Sequence, residues 1–136
     1  MLRMAQPIIH HRTPEFQQEL ESATANLKYL FCTEQPVMTL TASGTGAMEA
    51  AIVNVFSGGD EVITINGGKF GERWGEIARA YGLAVHEIAV EWGTAVTVER
   101  IREELASHPQ TRGIMMTHSE TSTGVFTDIK AIASAL

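Results

Sequence analysis

The first third of the chain has apolar residues at the spacing of one face of a helix. They fall at positions 16, 20, 23, 27 and 30. Thr13 can cap this helix and Pro14 suits its first position, since proline lacks an N–H that would have no partner there. The pattern predicts a helix over residues 12–31, with no strand before it.

From residue 37 onward, short apolar runs alternate with helical patterns. The predicted strands are "VMTLT" (37–41), "EVITIN" (61–66), "AVHEIAV" (84–90) and "GIMMTHS" (113–119). The predicted helices are "AMEAAIVNVF" (47–56), "RWGEIARAY" (73–81, closed by Gly82), "TVERIREEL" (capped by Thr97) and "DIKAIASAL" (opening at Asp128). Four strand and helix alternations predict an α/β fold with three αβα layers and a mainly parallel sheet with right-handed crossovers.

In such sheets, ligands bind beyond the carboxyl ends of the strands, so the loops that lead from strand to helix are the candidates for a site. They are "ASGTG" (42–46), "NGGKFGER" (66–73), "EWGTA" (91–95) and "SETSTG" (119–124). Three of the four are rich in glycine, hydroxyl residues or an aromatic residue, which places the candidate chemistry at one end of the sheet.

Composition removes several classes of function. The 136 residues are 44% hydrophobic and carry a net charge of −6, with acidic and basic residues interleaved, which gives no footprint for nucleic acid or for an anionic membrane. One cysteine, Cys32, allows no internal disulfide, and the histidines share no spacing typical of a metal site. No signal peptide or spanning apolar run is evident, so we expect a cytoplasmic protein without a metal.

The loop "ASGTG" is a candidate phosphate site, because a glycine loop that leads into a helix offers backbone N–H groups and the positive end of the helix dipole. Ser43 and Thr45 add hydroxyl donors, although a tight turn would also explain the glycines. A nucleoside triphosphate loop is excluded, since residues 47–49 supply no lysine. Glu49 and Asn66 disfavour a dinucleotide, which needs a small residue and an acid at those positions.

Two other loops carry candidate ligand contacts. Phe70 lies between glycines, where it could stack on a flat ligand ring or anchor the loop. The segment "THSETSTG" gathers five hydroxyl side chains, a carboxylate and His118, which is either a base or a structural hydrogen-bonding group.

Taken in order, "SGTGAMEAA", "NGGKFGERW" and "HSETSTGV" resemble the class V aminotransferases, in particular the alanine–glyoxylate and serine–glyoxylate branch. The resemblance implies a fold type I large domain and the cofactor pyridoxal 5′-phosphate. It implies that Ser43, Gly44 and Thr45 hold the cofactor phosphate, that Phe70 stacks on the pyridine ring, and that Thr121 lies close to the ring and its oxygen. It also implies a homodimer that acts on a small amino acid and a 2-oxo acid.

The family's Schiff-base lysine and the aspartate that pairs with the pyridine nitrogen have no counterpart in these residues. The lysines are Lys28, Lys69 and Lys130, and none has the expected setting. We therefore expect residues 1–136 to be the N-terminal part of the large domain, without a second domain and inactive alone. A non-catalytic domain that binds a phosphate ligand or acts as a scaffold is the alternative, followed by a cysteine desulfurase-like or dinucleotide-binding module.

Overall fold

The computed structural model describes residues 2–136, except for the side chains at positions 3 and 4. The chain divides into two compact units. The first unit ends at Thr41 and contains a short 3-10 helix, Leu2–Ala5, and helix α1, Pro14–Leu30. The Thr13 hydroxyl accepts a hydrogen bond from the Phe16 N–H at 3.3 Å, and Pro14 occupies the first turn. The predicted first helix and its cap are confirmed.

The predicted strand over residues 37–41 is wrong, because this segment is irregular. Met38 and Leu40 are 81% and 78% exposed. An apolar run forms a strand only where a neighbouring strand satisfies its backbone groups, and no described strand pairs with this segment.

The second unit, Ala42–Leu136, contains the sheet. Its elements are α2 (Gly44–Val55), β1 (Glu61–Asn66), α3 (Lys69–Ala80), β2 (Ala84–Ala89), α4 (Val98–Ser107), β3 (Gly113–Met115), β4 (Ser119–Glu120), β5 (Val125–Phe126) and α5 (Ile129–Ala135). Within the described residues, β2, β1 and β3 form a parallel sheet in that order, and β4 pairs antiparallel with β5. Three parallel strands thus replace the four that the pattern predicted.

Helices cover both faces of the sheet, as predicted. On one face α2 and α3 pack on the sheet through a cluster of Ile52, Val62, Ala78, Leu83 and Met115. On the other face α4 and α5 pack through Ile63, Ile65, Ile88, Ile101 and Ile132. The central strand β1 is buried from Val62 to Ile65, which explains its unbroken apolar run. The α/β class with three layers and a mainly parallel sheet is confirmed.

Several predicted boundaries were wrong although the elements exist. Helix α2 begins at Gly44 rather than at residue 47, and α3 begins at Lys69 rather than at residue 73, so much of each predicted glycine loop is the first turn of a helix. The strand predicted over 113–119 ends at Met115. Among the described residues, no helix is long and apolar enough to span a bilayer.

Candidate functional site

The candidate site lies where the direction of the chain through the sheet reverses. The chain moves from β1 to β2 on one side and then crosses back to β3 on the other side of β1. A crevice opens at such a reversal, outside the carboxyl ends of the two strands that the chain leaves in opposite directions. Here a cleft of about 290 Å³ is found, and its lining residues are Met48, Phe70, Trp74, Met116, Thr117, His118, Ser119 and Thr121.

Phe70 and Thr121 are brought together in this cleft, although they lie far apart in the sequence. Phe70 is in the first turn of α3 and is 44% exposed. Thr121 is exposed at the turn between β4 and β5. An exposed aromatic ring and a hydroxyl group that line the same cleft suit a flat ligand that carries an oxygen substituent.

Ser43, Gly44 and Thr45 form the start of α2 rather than a free loop. Ser43 is the N-cap, and its hydroxyl accepts a hydrogen bond from the Gly46 N–H at 3.3 Å. A Cβ atom added at Gly44 would meet nothing within 4 Å, so the first turn faces open space. Its leading N–H groups have no acceptor within a helix and point out of its end, which suits an anion.

Met48 connects this helix start with the cleft. It lines the cleft and lies one turn after Gly44, about 6 Å further along the helix axis. The residues predicted to hold a phosphate therefore lie next to the cleft but do not line it themselves.

Glu120 fixes the wall that carries Phe70, a role that sequence reasoning missed. Helix α3 has Gly68 as its N-cap and no side-chain cap of its own. Glu120 is buried, with 4% of the residue exposed, and its carboxylate instead accepts hydrogen bonds from the N–H groups of Gly71 at 2.9 Å and Phe70 at 3.2 Å. The Ser122 hydroxyl donates to the same carboxylate at 2.5 Å and accepts from the Lys69 N–H at 3.0 Å. The turn after β4 thus caps α3.

The same contacts keep Glu120 charged. Burial alone would raise the pKa of its carboxyl group, but hydrogen bonds from Ser122, Gly71 and Phe70 outweigh it and hold the pKa below its ordinary value. The negative charge lies at the positive end of the α3 dipole. In the sequence, the only sign of this contact was that "THSETSTG" contains a carboxylate and the loop before α3 contains glycines. Gly68 makes room for the Glu120 side chain, because a Cβ atom at position 68 would lie 2.5 Å from Glu120 Cγ.

Two polar groups that line the cleft, His118 and Thr117, differ in their hydrogen bonding. His118 Nδ1 lies 2.9 Å from the carbonyl oxygen of Thr127, and because a carbonyl only accepts, Nδ1 carries the hydrogen. The neutral ring then has its lone pair on Nε2. The buried Thr117 hydroxyl, in contrast, has no hydrogen-bond partner among the described residues. An orphaned hydroxyl in a cleft wall is a group that a polar ligand atom could satisfy.

The lining of the cleft includes no lysine. The Lys69 ammonium lies 2.6 Å from Glu72 and 5.7 Å from the centre of the Trp92 ring, and the Lys28 ammonium donates to the Glu34 carbonyl at 3.1 Å. The described cleft therefore offers binding groups and a histidine, but no amine to act as a nucleophile.

The family model for aminotransferase class V matches residues 4–136. The chain is 44% identical over 134 residues to a soluble hydrogenase small subunit from a Synechococcus species, covering 97% of this chain and 35% of that protein. It is 37% identical over 133 residues to the L-aspartate–glyoxylate aminotransferase of Paracoccus denitrificans, covering 96% of this chain and 34% of that enzyme.

A solved structure gives the same result. The chain matches an aspartate aminotransferase of subgroup IV from Thermus thermophilus with a TM-score of 0.80 and 38% identity, over 96% of this chain and 36% of that one. The chain spans about a third of the length of these relatives.

Proposed function

Since the chain belongs to the class V aminotransferase family, we propose that residues 1–136 form the N-terminal part of the large domain of a pyridoxal 5′-phosphate-dependent aminotransferase. The enzyme transfers an amino group from a small amino acid, such as alanine or serine, to glyoxylate or another small 2-oxo acid. The observation that carries this proposal is the cleft that brings Phe70 and Thr121 together beside the start of α2.

The residues fit the cofactor that the family implies. A phosphate group suits the first turn of α2, where Gly44 leaves open space. A flat ring suits a cleft of about 290 Å³ with the Phe70 ring on one wall. The Thr117 hydroxyl, which has no partner among the described residues, gives the cleft lining a polar group that a ligand could satisfy.

Each group has a role in binding and orientation. The N–H groups of Gly44 and Thr45, with the Ser43 hydroxyl, bind the phosphate and so fix one end of the cofactor. Phe70 packs on one face of its ring and excludes water there, and the Thr121 hydroxyl donates to the ring oxygen. Glu120 is a positioning residue, because it holds Phe70 through the backbone of α3.

Pyridoxal 5′-phosphate, when bound, supplies the electron sink that stabilises negative charge at the α-carbon of the amino acid. The described cleft contains no lysine, so we infer that this chain binds the cofactor but does not complete amino transfer alone. A groove of about 560 Å³ lies beside the edge strand β3 and is lined by residues such as Phe56, Met115 and Leu136. This groove supports the proposal that residues 1–136 are part of a larger domain. The homodimer and the cytoplasmic location stay predictions.

Binding is best tested with pyridoxine 5′-phosphate, because it lacks the aldehyde that would react with exposed lysines. We expect it to bind more tightly than pyridoxine, which lacks the phosphate, when both dissociation constants are measured by calorimetry. Ser43→Ala should reduce this preference. The matched control is Thr97→Ala, since Thr97 caps α4 by accepting from the Arg100 N–H at 3.2 Å, much as Ser43 caps α2.

Equal binding of the two ligands, or an equal loss of preference in both variants, would contradict a phosphate site at α2. Binding of NAD in preference to both ligands would support a dinucleotide module instead.

The second candidate is a non-catalytic domain that binds a phosphate ligand, and the absence of a lysine from the cleft lining favours it. A chimera distinguishes the two candidates. In it, residues 1–136 replace the matching segment of a family member and are joined to the remaining two thirds of that enzyme. Amino transfer from serine or alanine to glyoxylate by the chimera would support the enzyme, and a folded chimera that binds the cofactor without turnover would support the non-catalytic domain.

A further inference from the structure

Two histidines that no sequence spacing connects lie together at the other end of the sheet, near the amino ends of its strands. His86 is in β2 and His108 is the residue that caps the carboxyl end of α4. Glu61, the first residue of β1, completes a group that we call the histidine cluster. Glu61 lies about 16 Å along β1 from Asn66, the last residue of that strand, since five residue steps separate the two.

The histidine cluster has the dimensions of an open three-ligand metal site. One ligand atom from each residue can be chosen so that all three lie within 4.8 Å of one another. His86 Nε2 is 3.2 Å from Glu61 Oε2, and the two imidazole rings stack with their centres 3.4 Å apart. Metal–ligand bonds of about 2.0–2.2 Å in a tetrahedron put ligand atoms about 3.4 Å apart. The ligand atoms that lie farthest apart therefore have to approach by up to about 1.4 Å, and the stacked rings have to splay.

The elements that carry the cluster are fixed by packing, so only side chains have to move. Glu61 is paired with Ala84 in the parallel ladder, and His86 lies two residues further along β2 on the same face of the sheet. That face is covered by α4 through the fully buried Ile101, which brings the end of α4 over the strands. The side chains of His86 and His108 are 24% and 30% exposed, which leaves room for rotation and an entry path.

The charges around the cluster favour a cation. Glu104 Oε1 lies 3.3 Å from His108 Nε2, and Glu104 Oε2 lies 2.9 Å from Arg100 Nη2. With neutral imidazoles, the carboxylates of Glu61 and Glu104 and the guanidinium of Arg100 leave one net negative charge. A carboxylate behind a ligating histidine is the usual arrangement that orients the ring.

We propose that Glu61, His86 and His108 bind a zinc ion, with Glu104 as the residue that orients His108. Two imidazole nitrogens and one carboxylate oxygen are a ligand set typical of Zn²⁺, whereas Mg²⁺ and Ca²⁺ bind mainly oxygen ligands. The ion connects the beginnings of β1 and β2 with the end of α4, so it stabilises the folded state. Zinc binding at this position does not depend on the cofactor proposal.

The test uses the chain without a polyhistidine tag and Zn²⁺ as the only added metal. Equilibrium dialysis with metal analysis should give one zinc ion per chain, and zinc should raise the melting temperature. His86→Gln and His108→Gln should each weaken binding on the order of tenfold or more. The control is the double variant His10→Gln and His11→Gln, which removes the exposed neighbouring pair whose rings are 4.6 Å apart; it should bind zinc like the wild type.

A wild-type measurement keeps the test valid if a variant fails to fold. In long-range ¹H–¹⁵N spectra of the imidazole rings, zinc should shift the nitrogens of His86 and His108 and leave those of His10 and His11 unchanged. Shifts confined to His10 and His11, or no zinc retained by the wild type at millimolar concentration, would overturn the site. So would retention of full affinity in both His86→Gln and His108→Gln.

Discussion

Replacing Glu120 by glutamine tests whether a distant carboxylate caps the helix that carries Phe70. The Glu120 carboxylate accepts four hydrogen bonds, from Ser122 Oγ at 2.5 Å and from the N–H groups of Gly71, Phe70 and Ser122 at 2.9, 3.2 and 3.3 Å. Glutamine keeps the shape but offers one oxygen, and its amide N–H groups face donors. Gly71 is buried, so its N–H finds no water in place of the lost acceptor.

The expected loss follows from these contacts. A buried N–H left without an acceptor costs about 1–3 kcal/mol. A charge removed from the positive end of a helix costs about 0.3–1 kcal/mol more. With one to two bonds lost, Glu120→Gln should lower the free energy of unfolding by about 3 kcal/mol. This is a large share of the ~5–15 kcal/mol typical of a folded domain.

The assay is urea unfolding at pH 7, followed by far-ultraviolet circular dichroism. The control is Glu103→Gln, because the Glu103 side chain is 70% exposed and lies 3.7 Å from Arg100; it should change the free energy of unfolding by less than about 0.5 kcal/mol. If Glu120→Gln unfolds with the free energy of the wild type, the carboxylate does not hold α3.

The pH dependence gives a second check on the same variant. The folded-state pKa of Glu120 is held below its ordinary value by the hydrogen bonds that outweigh burial. A lowered pKa means that the stabilisation is complete above the unfolded-state pKa and is lost as the pH falls through the folded-state pKa. The difference between wild type and Glu120→Gln should therefore be constant near neutral pH and shrink in acid. A difference that grows in acid would refute the assignment.

Four substitutions, of which Gly58→Ala is a control, separate stability from binding. Gly68→Ala should cost about 2 kcal/mol in urea unfolding, because its Cβ would lie 2.5 Å from the immobilised Glu120 side chain, whereas Gly58→Ala, with 3.8 Å to the nearest atom, should be nearly neutral. Gly44→Ala meets nothing within 4 Å, so it should unfold with unchanged or slightly higher free energy and yet weaken pyridoxine 5′-phosphate binding at the helix start. Thr97→Ala should lower the free energy of unfolding by about 1 kcal/mol without affecting ligand binding.

Local signals predicted much of the fold. Thr97 and Asp128 cap α4 and α5 by accepting from N–H groups three residues ahead, and Gly82, with φ +76°, follows the end of α3. These features lie within a few residues of the element they start or end, so the sequence pattern contains them. The carboxyl ends of parallel strands share one edge, which is why Phe70 and Thr121 were correctly expected at the same end of the sheet.

The features that were missed depend on residues far apart in the chain. Helix α3 starts early because Glu120, about 50 residues later, supplies its cap. Residues 37–41 have a strand-like pattern without a described strand to pair with. His86 and His108 meet only because α4 crosses back over the sheet. The pattern of a single sequence shows periodicity and helix caps, but it does not show which residues far apart in the chain contact each other.

The most direct measurement of the central claim is the amide ¹H–¹⁵N spectrum of the chain during titration with pyridoxine 5′-phosphate, compared with pyridoxine. A phosphate at the start of α2 predicts the largest phosphate-dependent shifts at the N–H groups of Gly44 and Thr45, with smaller shifts at Phe70 and Thr121 from both ligands. Largest phosphate-dependent shifts at another helix start, such as Glu99 in α4, or no difference between the two ligands at Gly44 and Thr45, would contradict it.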